Sequence, residues 1–287
     1  MNISSFRGHI PLLLGLLSSP VFGASLSYDG FSPSDFPSEL TLSGDAVLAG
    51  SAVRLTSAVD DQSGGLFTTN KVALGALNSF STYFQFQITG SGGVDDLWGE
   101  DGPGADGLAF VIQTQSNQVG TSGGGLGYVN LNPSFVVEFD TFQNTLPANP
   151  TEPSGNHVGI NINGSQWSAV AASEPTLFTA GDIWNAWVDY DGDAQTVEVR
   201  WSTAETRPAA AQLTHTIDLA TVFGPNVEGH FGFTSGTGSA WGNHDILKWT
   251  LEDEFNPITA VPEPGSAVAL ALLLTSSVLS HRRRGKK

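Results

Sequence analysis

The chain has 287 residues, a formal net charge of −17, 34 glycines, no cysteine and only 14% charged residues. The absent cysteine rules out thiol catalysis, Cys-ligated zinc and a disulfide framework. The acidic balance rules out a nucleic-acid partner, which needs a basic surface. So little charge, so much glycine and a steady supply of Phe, Trp and Val point to many short strands joined by turns. With terminal signals set aside, the length suits one β domain of about 230 residues, large enough for a real core.

Residues 1–23 carry a lone Arg7, an apolar run through Leu12, Leu13, Leu14, Leu16 and Leu17, and then Val21-Phe22-Gly23. A charged start, a short apolar core and a small residue at the cut describe a secretory signal peptide, cleaved after Gly23 or Ala24. Strand signals then alternate apolar and polar residues at period two. They run over 40–45, 52–56, 80–88, 108–112, 135–139, 158–162, 184–190, 197–201, 229–233 and 246–251. Asp191-Gly192 between two of them predicts a tight hairpin. Ten or more short strands without a long amphipathic helix predict an all-β sandwich or jelly roll over residues 24–256. No internal repeat and no interdomain linker interrupt it before Ala260.

Residues 257–287 read as a short linker with Val261-Pro262-Glu263-Pro264-Gly265, an apolar stretch from Ala267 to Leu279, and His281-Arg-Arg-Arg-Gly-Lys-Lys287. The apolar stretch is short for the ~30 Å of a bilayer core. The basic cluster would stay cytoplasmic, with the main domain outside. Together these features resemble the PEP-CTERM sorting tail of Gram-negative, exopolysaccharide-producing bacteria. The resemblance implies removal by an exosortase-type processing enzyme, transient membrane contact through the tail, and a destination at the cell surface or in the extracellular matrix. Without signal and tail, Arg54, Lys71, Arg200, Arg207 and Lys248 face 27 acids over 24–261, a net of −22. The exported part is strongly acidic.

Several motifs in the middle do not carry chemistry. Gly102-Pro-Gly104-Ala-Asp-Gly107 matches the dinucleotide-binding string but precedes a strand, so the helix N-terminus that would hold a pyrophosphate is missing. Asp189-Tyr-Asp191-Gly-Asp193 begins like an EF-hand. It has Ala194 where the loop needs Gly and Arg200 where it needs Glu, so it reads as a hairpin turn. No Gly-x-Ser-x-Gly elbow supports a serine hydrolase. The six His are scattered, and His230 and His244 read as packing or hydrogen-bonding residues.

One segment stands apart: Val136-Val-Glu138-Phe-Asp140-Thr-Phe142-Gln-Asn144, then Glu152-Pro153 and His157-Val-Gly-Ile160. Glu138 and Asp140 are i and i+2 on a strand, so both carboxylates project from one face. Asn144 and a nearby backbone carbonyl add neutral oxygens, and His157 adds a nitrogen. Hard oxygens suit Ca²⁺, while a mixed carboxylate–imidazole set suits Mn²⁺ or a similar ion. By spacing alone, a polar strand face beside a solvated loop fits as well.

The string VVEFDTFQN…EP…HVGI resembles the metal-site signature of legume-type (L-type) lectins. Further stretches resemble that family in the same order: LTLSGDAVLAGSAVRLT at 40–56, FSTYFQFQIT at 80–89, GADGLAFVIQ at 104–113 and GGGLGY at 123–128. They continue with WVDYDGDAQTVEVRW at 187–201 and GFTSGTGSAWGNHDILKW at 232–249. The resemblance implies a concanavalin-like jelly-roll sandwich of antiparallel sheets. It assigns Glu138, Asp140 and His157 to a transition metal such as Mn²⁺, and Asp140, the Phe142 carbonyl and Asn144 to Ca²⁺. The family's bridging Asp-Pro is absent; Glu152-Pro153 is the first choice for that position and Asn149-Pro150 the rival. For the sugar, the resemblance implies Asp106 as acceptor after a cis Ala105-Asp106 bond, a backbone N–H from Gly124 or Gly125, Asn144, and the ring of Phe142. Thr237-Gly238-Ser239-Ala240 aligns with the family's variable specificity loop, where Ser239 and Ala240 offer only small groups.

Two further function classes compete with an exported, metal-dependent, non-catalytic glycan-binding protein. A glycoside hydrolase on a related jelly roll needs Glu-x-Asp-x-x-Glu or Glu-x-Asp-x-Glu, with nucleophile and acid about 5 Å apart, and Thr141, Phe142 and Gln143 follow Asp140, so the acid/base is missing. A structural protein of an exopolysaccharide matrix, or an adhesion protein, would keep the fold without the sugar site. L-type lectins pair through sheet edges in several ways, so a homo-oligomer belongs among the expected partners.

Overall fold

The structure is a computed structural model that describes residues 25–75, 77–96, 102–144 and 151–259. The expected signal peptide, the sorting tail from residue 260 and Asn149 lie outside the described residues. In chain order the strands are β1 (Ser25–Tyr28), β2 (Leu40–Gly44), β3 (Val47–Ala49), β4 (Ala52–Thr56), β5 (Ser63–Thr68), β6 (Val72–Ala73), β7 (Phe80–Gly93) and β8 (Gly107–Gln113). They continue as β9 (Ser134–Asp140), β10 (His157–Ile162), β11 (Val170–Ser173), β12 (Ile183–Asp191), β13 (Thr196–Ser202), β14 (Leu213–Thr216), β15 (Glu228–Gly236) and β16 (Ala240–Glu252). A five-residue helix, α1 (Leu219–Phe223), is capped by Asp218, whose Oδ1 accepts the Ala220 N–H at 2.9 Å.

The fold is an all-β sandwich. One sheet runs β14-β13-β12-β7-β16-β4-β3, with β1 also on β16; the other runs β11-β10-β9-β8-β15-β5-β2, with β6 also on β15. Every pairing is antiparallel. Alternation explains the layers. Phe84 and Phe86 on β7, Phe110 on β8, Phe139 on β9 and Phe233 on β15 all turn into one buried core. Phe84 meets Phe233 edge-on across the two sheets with centroids 4.8 Å apart, and Phe178 meets Trp184 at 4.7 Å. Such pairs add about 0.5–1.5 kcal/mol beyond the area they bury.

The ten predicted strands are all present, five of them longer by one or two residues. β16 begins at Ala240, six residues before its predicted start. Register shifts at Trp241/Asn243 and Ile246/Lys248 break the alternation that would have revealed its first half. The strands not anticipated are β1, β3, β6, β11 and β14, each of two to four residues, and the Gly-rich β5. The hairpin after Asp191 is a four-residue turn, with the Asp191 carboxylate accepting the N–H groups of Asp193 and Ala194 at 3.0 and 3.2 Å.

On the outer face of β12 and β13 lies a buried ionic cluster. Asp189, 1% exposed, accepts Arg207 Nη2 at 2.6 Å and faces Arg200 Nη1 at 3.7 Å, while Arg200 also reaches Glu198 at 2.9 Å. Burial pushes the Asp189 carboxyl above its usual range, although both arginines pull it down. Arg207 comes from the connection between β13 and β14, which lies over this face.

Candidate functional site

Three neighbouring strands place the singled-out residues in one row. Asp140 closes β9 opposite Gly107 at the start of β8 and opposite His157 at the start of β10. Val137 and Phe139 point into the core, so Glu138 and Asp140 share the outer face. Both are nearly sealed, at 2% and 5% exposed.

Glu138 is held from three sides. Its Oε2 accepts Tyr128 Oη at 2.5 Å and Asn161 Nδ2 at 2.9 Å, and its Oε1 accepts Ser168 Oγ at 2.6 Å. Gly159 lies opposite it on β10, and a Cβ there would come within 2.5 Å of Oε1. His157 stands 3.6 Å away through Nε2. Its Nδ1 lies 2.7 Å from the Ser154 carbonyl oxygen, which can only accept, so Nδ1 carries a proton and Nε2 faces the carboxylates. Burial disfavours the imidazolium, yet Glu138 and Asp140 outweigh it and lift His157 to about 9. Burial would raise Glu138, but His157, Ser168 and Tyr128 bring it below the ordinary value. Asp140 goes the other way. Burial and the charges of Glu138 and Glu152 push it well above the carboxylate range, against the pull of His157 and the Phe142 N–H.

Asp140 Oδ1 accepts the Phe142 N–H at 2.8 Å, and Asn144 Nδ2 donates to the Phe142 carbonyl at 3.1 Å. Glu152 closes this loop by accepting the Asn144 N–H through Oε1. Its other oxygen is buried without a hydrogen-bond partner. Glu138, Asp140, Asn144, Glu152 and His157 line one small pocket together with Gly124, Thr151, Gln166 and Trp167. Its cavity is about 10 Å³, close to the least space a water-sized body needs. Among its described lining residues there is no Lys or Arg.

The donor chemistry fits a cation: three acids, an imidazole, an amide and a carbonyl, with one carboxylate oxygen buried and unpartnered. Among the described residues, however, no three His, Asp or Glu side chains stand in an arrangement that could hold a metal ion without adjustment. The residues are gathered but not closed on a common point.

Asp106 sits beside this pocket. The Ala105-Asp106 bond is cis. Asp106 N donates to Gly236 O and Asp106 O accepts the Thr141 N–H, both at 3.0 Å, tying the residue to β15 and to the end of β9. Its side chain is 4% exposed, with Oδ2 unpartnered. Burial pushes its carboxyl up to about 7, with the Gly238 backbone pulling the other way. A Cβ on Gly238 would lie 3.7 Å from Oδ2, and one on Gly123 would lie 4.0 Å from it. A Cβ on Gly124 would press on Asn144 Oδ1 at 2.9 Å, whereas one on Gly125 would strike Thr121 Oγ1 at 2.1 Å. Gly124 therefore borders the site and Gly125 faces away. Ala240 is 2% exposed as the first residue of β16. The β15–β16 turn consequently presents Gly238 and the exposed Ser239, not Ala240.

Tyr128, Gly159, Asn161 and Ser168 were not anticipated. Gly159 and Asn161 follow His157 at i+2 and i+4, so strand periodicity alone could have put them on its face. Tyr128 and Ser168 arrive from other segments and leave no local signal. His230 and His244 each hydrogen-bond within the sandwich, to Thr68 O at 2.9 Å and Thr56 Oγ1 at 2.7 Å.

The pattern of the Legume lectin domain family matches residues 23–264. Agglutinin-2 of Cladrastis kentukea is 29% identical, over 88% of this chain and 90% of its own length. A probable L-type lectin-domain containing receptor kinase, S.7 of Arabidopsis thaliana, is 28% identical over 82% of this chain. The chain spans only about a third of the length of the receptor kinases it matches, 36% in that case. The crystal structure of basic winged bean lectin with Tn-antigen superposes with a TM-score of 0.64, covering 80% of this chain and 98% of that one at 27% identity. With its domain pattern, its relatives and its sandwich in agreement, this chain belongs to the legume lectin domain family.

Proposed function

We propose that the protein is an exported, metal-dependent carbohydrate-binding protein that performs no catalysis. The observation that carries this reading is the approach of Gly123 and Gly238 to the buried, unpartnered Oδ2 of Asp106, beside an acidic pocket that Gly124 and Asn144 line and that has no Lys or Arg among its described lining residues. Asp106 would accept hydrogen bonds from sugar hydroxyls, Gly124 would offer its N–H, Asn144 its amide, and Phe142 an apolar ring against a pyranose face. Glu138, Asp140 and His157 would hold a transition ion, and Asp140, the Phe142 carbonyl, Asn144 and Glu152 a Ca²⁺. When bound, the ions would neutralise the buried carboxylates and stiffen the loop that carries Asn144. Glu138 is sealed and held by three donors, which disfavours a hydrolase; a glycosidase carboxylate must reach the scissile bond.

Export rests on the signal-peptide pattern of residues 1–23, and surface delivery in an exopolysaccharide-producing bacterium rests on the Pro-Glu-Pro tail with its basic cluster. Glycan-array binding with Ca²⁺ and Mn²⁺, repeated in EDTA, tests the reading. Binding that EDTA abolishes is the expected result. No binding in either condition would overturn it and leave a scaffold protein of the matrix.

A further inference from the structure

Trp167 is 51% exposed, the one tryptophan among the exposed large apolar residues of the described chain. It lies between β10 and β11 and lines the acidic pocket, where every other lining side chain is polar or acidic and the rest is glycine. An apolar protein partner would find no continuous greasy surface here, only a single indole among hydrogen-bonding groups. That combination matches a ligand with apolar C–H faces and hydroxyl edges.

The indole is also presented on a braced loop. The Trp167 N–H donates to Ser165 Oγ at 3.0 Å, and Ser165 Oγ donates to the Trp167 carbonyl at 3.1 Å. The next residue, Ser168, is 4% exposed and donates to Glu138. Ala169 N then donates to Ile160 O at 2.8 Å, returning the chain to β10. A side chain carried this way loses little conformational freedom on binding. Gly124 and Asn144 line this pocket, and Gly123, the residue before Gly124, adjoins Asp106, a Cβ on it lying 4.0 Å from Oδ2, while Asp106 does not line the pocket. Trp167 therefore shares its pocket with the residue that follows Gly123, one step along from the group that would hold the first sugar.

We infer that Trp167 is the stacking platform of a second subsite, so that the protein reads an oligosaccharide of at least two units. This rests on the carbohydrate-binding reading above. In the absence of bound sugar the indole stays half in water; with an oligosaccharide bound, the second pyranose ring would cover it while its hydroxyls meet Gln166 and Thr151.

Calorimetry on the full chain with a monosaccharide that binds it, and with the matching di- and trisaccharides, tests the inference on wild type, Trp167→Ala and Trp167→Tyr. Trp167→Ala should leave the monosaccharide Kd within about twofold and weaken the oligosaccharides about tenfold. Trp167→Tyr should keep most of that gain, and melting temperatures should match. Equal weakening for both ligand lengths, or no weakening for either, overturns the second subsite while sugar binding itself stands. A wild type that binds no sugar of any length overturns the carbohydrate-binding reading and the subsite with it.

Discussion

Asp189 on β12 and Glu138 on β9 are buried to almost the same degree, 1% and 2% exposed, each on the outer face of its sheet. Asp189 is answered from within the chain. Two of the five basic residues between 24 and 261, Arg200 and Arg207, converge on it. Glu138 stands with Asp140 and Glu152 around a pocket in which, among the described residues, the only titratable base is His157. The first cluster balances its own charge, and burial raises its acid only against two opposing arginines. In the second, burial forces Asp140 toward its neutral form, and the charges of Glu138 and Glu152 add to it against the pull of the one imidazole. A chain this poor in Lys and Arg neutralises one buried acid internally and leaves a cluster of three open to a counter-ion from outside.

The sharpest way to break this contrast is Asp140→Ala. Metal content and sugar affinity should fall by more than about a hundredfold, measured by elemental analysis and calorimetry. In EDTA the same variant should lose no more than about 1 kcal/mol of stability, the worth of one hydrogen bond to Phe142, because it also relieves repulsion among carboxylates. Arg207→Ala should behave oppositely. It leaves a buried Asp189 underpaired and should cost about 3 kcal/mol in urea unfolding with or without metal.

A pH titration of sugar binding probes Asp106, the other acid without a counter-charge. Its carboxyl is raised to about 7, so the anion proposed to accept sugar hydroxyls is lost as pH falls through that value. Affinity should drop about tenfold from pH 8 to pH 6, and Asp106→Asn should bind weakly with a flat profile. The smallest effect belongs to Arg54→Ala. Its two 2.8 Å bonds to Asp245 sit at a partly exposed edge, with the Arg54 side chain 29% accessible, and should be worth about 1 kcal/mol or less. A larger loss would mean that burial is not what separates the two clusters.

Period-two alternation made the central strands legible, and the spacing of Glu138, Asp140 and His157 already placed two of them on one face. Register could not be read that way. Nothing local says that His157 faces Asp140, or that Gly159 clears space for Glu138, because those are relations between residues 17 and 21 positions apart in sequence. The bulges in β16 hid its first half, and the short edge strands carry too few residues for any period. The choice between Gly124 and Gly125 lay outside sequence reasoning too, since it depends on whether Asn144 or Thr121 stands opposite. Asp106 was found, and Glu152 given its bridging role, only because their surroundings resemble a family.

The row Gly107–Asp140–His157 ties two properties together that are usually tested apart. If β9 slid by one residue against its neighbours, Glu138 and Asp140 would turn into the aromatic core, and Phe135, Val137 and Phe139 would face solvent. A misaligned sheet could neither gather the carboxylates nor bury its rings. Cation uptake would then serve as a proofreading signal: a chain that takes up the ion has, by that fact, its central strands in the right register.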